Sequence, residues 1–129
     1  MEKIVKSEDE WRIKLSELAF RVTRKAETEK PFIDHGFSKG QGRFTCVCCN
    51  QELFKSDTKF NSGSGWPSFY DVMDPNSVTM SHDTSHSMSR TEVSCSRCDA
   101  HLGHVFNDGP APTGLRYCIN GVSLKFVPN

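Results

Sequence analysis

Leu115-Arg116-Tyr117-Cys118-Ile119-Asn120-Gly121-Val122-Ser123-Leu124-Lys125-Phe126-Val127 decides the fold class of this 129-residue chain. It holds two β-like runs, Leu115 to Ile119 and Ser123 to Val127, around Asn120-Gly121, the strongest two-residue signal for a hairpin turn. Working back from it, Leu102 to Phe106, Thr91 to Ser94, Val78 to Met80 and Arg43 to Val47 have the same β-like character. Turn-forming stretches, Asn61 to Gly65, Asp74-Pro75-Asn76 and Asp108-Gly109-Pro110, separate them. The predicted body is therefore antiparallel β from Arg43 onward. Residues 1–30 differ: Ser7 and Glu10 have the spacing of a capping box, and Trp11, Leu15 and Leu18 form one stripe, which predicts a helix over 7–20 packed on the body. Thr28 to Gly42, with Pro31, Gly36 and Gly40, reads as a connecting loop, and Ser81 to Ser89 as a surface loop. The whole fits one domain, 1–129, with a peripheral helical N-terminus over 1–30.

Sixteen basic and sixteen acidic residues give zero formal net charge, which speaks against nucleic acid or an anionic membrane as partner. No apolar run approaches the length that crosses a bilayer, and the charged start lacks the apolar core of a secretory signal. The expectation is a cytoplasmic, reducing setting, where six cysteines suggest metal binding or catalysis before structural disulfides.

Cys46-Val47-Cys48-Cys49 and Cys95-Ser96-Arg97-Cys98 each contain a Cys-x-x-Cys pair. Two such pairs supply the four thiolates of a structural Zn(II) site, with Cys46, Cys49, Cys95 and Cys98 as ligands, closed to water and so not catalytic. Two disulfides, or Cys48 ligating in place of Cys49, are the alternatives; iron in the same cage is another. Cys48 is left as a spare thiol.

Cys118 stands apart from these pairs. Alternation along a strand puts Arg116, Cys118 and Asn120 on one face, and a guanidinium beside sulfur favours the thiolate that cysteine nucleophiles need. His101-Leu102-Gly103-His104 follows the second pair closely, so a bound metal would anchor two imidazoles suited to proton transfer near neutral pH. Residues three apart face opposite sides of a regular strand, so both enter one site only through a bulge or turn at Gly103. Trp66, after the Gly-rich Ser62 to Gly65, is either ordinary core or the wall of a pocket for a methyl thioether.

In family order, the two cysteine pairs, Gly65-Trp66-Pro67-Ser68-Phe69, Arg90-Thr91-Glu92-Val93, His101 to Phe106, Asp108-Gly109-Pro110 and Pro112 to Asn120 resemble the B-type methionine sulfoxide reductases, which act on the R epimer. The resemblance implies two antiparallel sheets rolled into a barrel-like core with peripheral helices. It implies Cys118 as the catalytic cysteine, His101, His104 and Asn120 as groups that bind and polarise the sulfoxide, Trp66 at the substrate methyl, Arg116 as supporting cation and Phe106 as a further pocket aromatic. Many members place a resolving cysteine in the turn before Gly-Trp-Pro-Ser-Phe; this chain has Ser64 there. A Cys118 sulfenic acid would then be reduced by thioredoxin or another external thiol, with Cys48 the weaker internal candidate. The implied enzyme is a monomer acting on methionine sulfoxide in oxidised proteins. A non-catalytic zinc-ribbon-like interaction module and a thiol peroxidase are the rival readings.

Overall fold

The computed structural model describes residues 2–129. The expected first helix is two helices. α1 (Glu8–Lys14) starts on the capping box: Ser7 Oγ accepts from the Glu10 amide, and the Glu10 carboxylate accepts from the Ser7 amide. Acidic residues occupy its first turn and basic ones its last, matching the helix dipole. It stops at Leu15, which is extended, because Ser16 takes an extended conformation and caps a second helix, α2 (Glu17–Lys25), through the Ala19 amide. This second cap is what a reading of one continuous stripe over 7–20 passes over. α2 buries Ala19, Phe20, Val22 and Thr23, and Arg24 donates a hydrogen bond to the Cys98 carbonyl at 2.7 Å.

Among the described residues nine strands follow: β1 (Gly42–Cys46), β2 (Glu52–Lys55), β3 (Lys59–Phe60), β4 (Ser68–Phe69), β5 (Val78–Asp83), β6 (Arg90–Cys95), β7 (His101–Phe106), β8 (Arg116–Ile119) and β9 (Leu124–Pro128). They form two antiparallel sheets, ordered β2-β1-β9 and β3-β4-β8-β7-β6-β5. Neither order returns to its first strand, so among the described residues there is no closed barrel. Phe44 and Phe54 of the smaller sheet meet Phe69 and Tyr117 of the larger: Phe44–Phe69 centroids lie 5.1 Å apart, Phe54–Phe69 4.3 Å and Phe54–Tyr117 5.7 Å. Such aromatic pairs contribute about 0.5–1.5 kcal/mol each beyond area burial, and here they join the two sheets.

Two expectations are corrected. Asn120-Gly121 is not a hairpin: β8 and β9 belong to different sheets, and a short 3-10 turn, Gly121–Ser123, carries the chain between them. The Asn120 amide group is diverted from turn formation because its Nδ2 donates to the Leu102 carbonyl and its Oδ1 accepts from the Glu29 amide. Likewise Ser81 to Asp83 lie in β5 and not in a loop. β5 is an edge strand with only Val78 buried, so it lacks the apolar alternation that marks a half-buried strand.

Candidate active site

β8 is the strand on which the site is assembled. It lies between β4 and β7, with Cys118 directly opposite Ser68 on one side and His104 on the other. Cross-strand partners share a face, so the register alone brings the sulfur and an imidazole together. A bulge in β7 then recruits the second histidine. Val93 of β6 pairs with Gly103 and Ser94 with His101, so Leu102 is the extra residue. His101 and His104 thereby come edge to face with centroids 5.5 Å apart. Gly103 is needed there for closeness: a Cβ at that position would lie 2.1 Å from the Cys118 carbonyl oxygen.

A cavity of about 330 Å3 opens over this face, and Trp66, His104, Phe106, Arg116, Cys118 and Asn120 all line it, with Ser64, Arg90, Thr28 and Gly103 completing the wall. His101 is the expected site residue that does not line it; it stands buried behind His104. Its Nδ1 faces the Glu92 carboxylate at 2.6 Å, so Nδ1 carries the proton and the buried Nε2 has no hydrogen-bond partner. Burial pushes the His101 pKa down, with Glu92 opposing, which favours a neutral ring with a bare Nε2. His104 Nε2 donates to Asp83 at 2.8 Å. That hydrogen bond, followed by one from the Ser85 amide, holds the Asp83 carboxyl well below the usual carboxylate range.

Cys118 is half-buried, whereas the other five cysteines are buried. Arg116 pulls the Cys118 thiol toward thiolate as expected, as does Ser64, but burial is the larger effect and raises the Cys118 pKa. Arg116 has other partners as well. It grips Asp108 with two nitrogens, at 2.9 and 3.2 Å, and lies 4.4 Å over the Phe106 ring. Ser64 Oγ stands 3.9 Å from the Cys118 sulfur and 2.8 Å from Ser62 Oγ, which lies 2.7 Å from Ser68 Oγ.

The four-cysteine cluster lies where the turn after β1 meets the turn between β6 and β7. Cys46, Cys49, Cys95 and Cys98 are buried with their sulfurs within 4.8 Å of one another; the Cys46–Cys98 and Cys49–Cys95 separations are 3.7 and 3.5 Å. A tetrahedral cation about 2.3 Å from each sulfur requires edges of about 3.8 Å, so the donor set fits a four-thiolate metal site. Cys48 is buried beside it, with Cys46, Cys98, Thr23 and Arg24 around its thiol, whereas Cys118 has Ser64, Arg116 and Glu29.

Sequence reasoning gave no role to Asp83, Glu92, Arg90, Thr28 or Glu29. Glu92 and Arg90 lay in plain view within Arg90-Thr91-Glu92-Val93, and alternation on β6 opposite β7 was the available signal. Asp83 was hidden by the reading of its segment as a loop.

The fold and cavity define a β protein whose half-buried thiol shares one cavity with an imidazole, an indole and a guanidinium, and which also carries a metal-type cysteine cluster. The chain belongs to the SelR domain family, whose pattern matches residues 15–128. It is 57% identical over 129 residues to the peptide methionine sulfoxide reductase MsrB of Pseudomonas fluorescens (strain Pf0-1), covering 99% of this chain and 98% of that one. It is 56% identical over 124 residues to the protein of the same name from Methanosarcina barkeri (strain Fusaro / DSM 804), covering 95% and 87%. Among solved structures, the Mis18 "Yippee-like" domain superposes with a TM-score of 0.55 at 22% identity over 70% of this chain and 98% of that domain, a likeness of fold alone.

Proposed function

We propose that this chain reduces methionine sulfoxide in proteins, selectively the R epimer, with Cys118 as the nucleophile. The observation that carries the reading is the pairing of Cys118 with His104 across the β7–β8 ladder inside a cavity walled by Trp66 and Phe106. The cavity takes a methyl thioether by its aromatic walls and leaves the sulfoxide oxygen to polar groups.

Cys118 rests as a thiol, since burial raises its pKa. Its sulfur attacks the sulfoxide sulfur, the thiol proton passing to the His104 ring and from there to the sulfoxide oxygen, while Asp83 holds the ring through Nε2. His101, neutral and tied to Glu92, supports that exchange from behind. The sulfur–sulfur bond so formed and the S–O bond of the substrate both break as the oxygen passes to Cys118, which ends as a sulfenic acid while methionine is released. Methionine sulfur gains two electrons and the cysteine sulfur loses two, so atoms and charge balance. Asn120 and Arg116 hold the polar side of the pocket.

Ser64 stands 3.9 Å from the nucleophile where a resolving cysteine would be needed, and Cys48 is buried beside the four-cysteine cluster. An external thiol, thioredoxin or a smaller one, therefore attacks the sulfenic acid, releasing water, and a second thiol frees Cys118 from the mixed disulfide. Cys46, Cys49, Cys95 and Cys98 would hold Zn(II); with four protein ligands it supplies no open position for chemistry and serves to tie the β1 turn to the β6–β7 turn. The enzyme is read as a cytoplasmic monomer with no nucleic-acid or membrane partner, and with a single domain over 1–129.

Supplying each epimer of a blocked methionine sulfoxide with dithiothreitol tests this. Methionine should form from the R epimer with the parent chain and not with Cys118→Ser; equal yields from the mutant would end the assignment. An interaction module predicts no turnover at all, and a thiol peroxidase predicts consumption of peroxide in preference to sulfoxide.

A further inference from the structure

The connector between α2 and β1 has no regular structure, and among residues 26–41 the one buried residue is a glutamate: Glu29 is 2% exposed. Burying a carboxylate in a loop is costly unless its oxygens are paired, and a loop that only spans a gap has no use for it. Glu29 is fully paired. Oε2 accepts from His35 Nε2 at 2.8 Å and Oε1 from the Val122 amide at 2.9 Å. His35 in turn lies against Gly121, where a Cβ would come within 2.2 Å of the ring, and stacks on Phe37 at 5.5 Å.

The main chain of the same residue reaches two cavity walls. The Glu29 carbonyl accepts from Trp66 Nε1 at 3.0 Å, and the Glu29 amide donates to Asn120 Oδ1 at 3.0 Å. The carboxylate thus nails the backbone to the 121–123 turn, and the backbone sets the indole on one side of the pocket and the carboxamide on the other. Cys118 needs none of this, because β4 and β7 hold it from both sides.

Resting on the reductase reading, we infer that Glu29, clamped by His35, is a positioning residue that sets the substrate pocket through Trp66 and Asn120. It makes no hydrogen bond to the thiol, and its charge raises the Cys118 pKa less than burial does. Its removal therefore weakens substrate binding more than it slows the sulfur chemistry.

The test compares Glu29→Ala, Glu29→Gln and His35→Ala in a Trp11→Phe parent, so that Trp66 is the sole indole. Zinc content and circular dichroism establish folding, Trp66 emission reports its hydrogen bond, and steady-state kinetics on the R sulfoxide report KM and kcat. Glu29→Ala should raise KM about tenfold, the equivalent of one net hydrogen bond to a charged group, with a smaller fall in kcat and a red-shifted emission. Glu29→Gln should return both toward the parent, because its carbonyl oxygen still accepts from Val122 and its amide can donate to the other His35 tautomer. Where Glu29→Ala does not fold, His35→Ala carries the test, with the same direction and a smaller size. Parent-like KM and emission in a folded Glu29→Ala or His35→Ala overturn the inference, as does a Glu29→Gln as impaired as Glu29→Ala. A parent that reduces no sulfoxide refutes the reductase reading instead, and the emission measurements then still decide the positioning claim.

Discussion

Gly103→Ala is a one-methyl perturbation aimed at the joint between the two strands that carry His104 and Cys118. Built on the observed backbone, the new Cβ lies 2.1 Å from the Cys118 carbonyl oxygen and 3.0 Å from both the Cys118 carbonyl carbon and the Ile119 Cα. Carbon and oxygen normally approach no closer than about 3.3 Å, so β7 and β8 must part by roughly 1 Å at the position where His104 faces Cys118. The obstacle is backbone on both sides, so no side-chain rotation relieves it. A displacement of that size at reacting groups costs about 100-fold in rate, and overpacking of this kind destabilises by about 1–3 kcal/mol. At about 4 °C per kcal/mol for a chain of this length, Tm should fall by roughly 4–12 °C. The assay is kcat/KM on the R sulfoxide with dithiothreitol, alongside a thermal melt and zinc analysis on the same preparation. A folded, metal-loaded Gly103→Ala with parental kcat/KM would show that the His104–Cys118 spacing does not govern the reaction. A parental Tm would show that the strands are not packed as tightly as described.

Three further outcomes are expected. Stripping the metal with a strong chelator should unfold the chain, since a structural zinc contributes about 10–16 kcal/mol where whole-domain stability is about 5–15; a stoichiometric release of zinc without loss of circular dichroism would refute the stapling role. Iodoacetamide should label Cys118 before any other cysteine, and because burial raises its pKa the rate should still be climbing as pH passes about 8.5; a plateau below neutral pH would mean a thiolate at rest. Ser64→Cys puts a thiol where an oxygen now lies 3.9 Å from the Cys118 sulfur, and one turnover without reductant should leave a 64–118 cross-linked peptide in the mass spectrum; a persistent sulfenic acid at Cys118 would contradict the proximity.

What could be read from the sequence was whatever has a local cause. The Cys-x-x-Cys spacings, the Ser7–Glu10 capping box and the alternation along β8 are short-range regularities, and the structure has them at those residues. The two-residue strands β3 and β4 have no room for a period, and β2 offers only Leu53-Phe54 between two charges, so these carried no signal. Asn120-Gly121 misled for the opposite reason: its local preference for a hairpin is strong, but the Asn120 side chain is claimed by Leu102 and Glu29, 18 and 91 residues away. The site divides along the same line. Cys118 and His104 are visible because strand register joins them. Glu29 is invisible because its neighbours in sequence are exposed, and apart from His35, six residues on, its partners lie far along the chain: Trp66 at 37 residues, Asn120 at 91 and Val122 at 93. A charge that pattern reading assigns to solvent is enclosed here by contacts that are mostly long in sequence, and through Glu29 they join the connector, the 121–123 turn and the pocket wall.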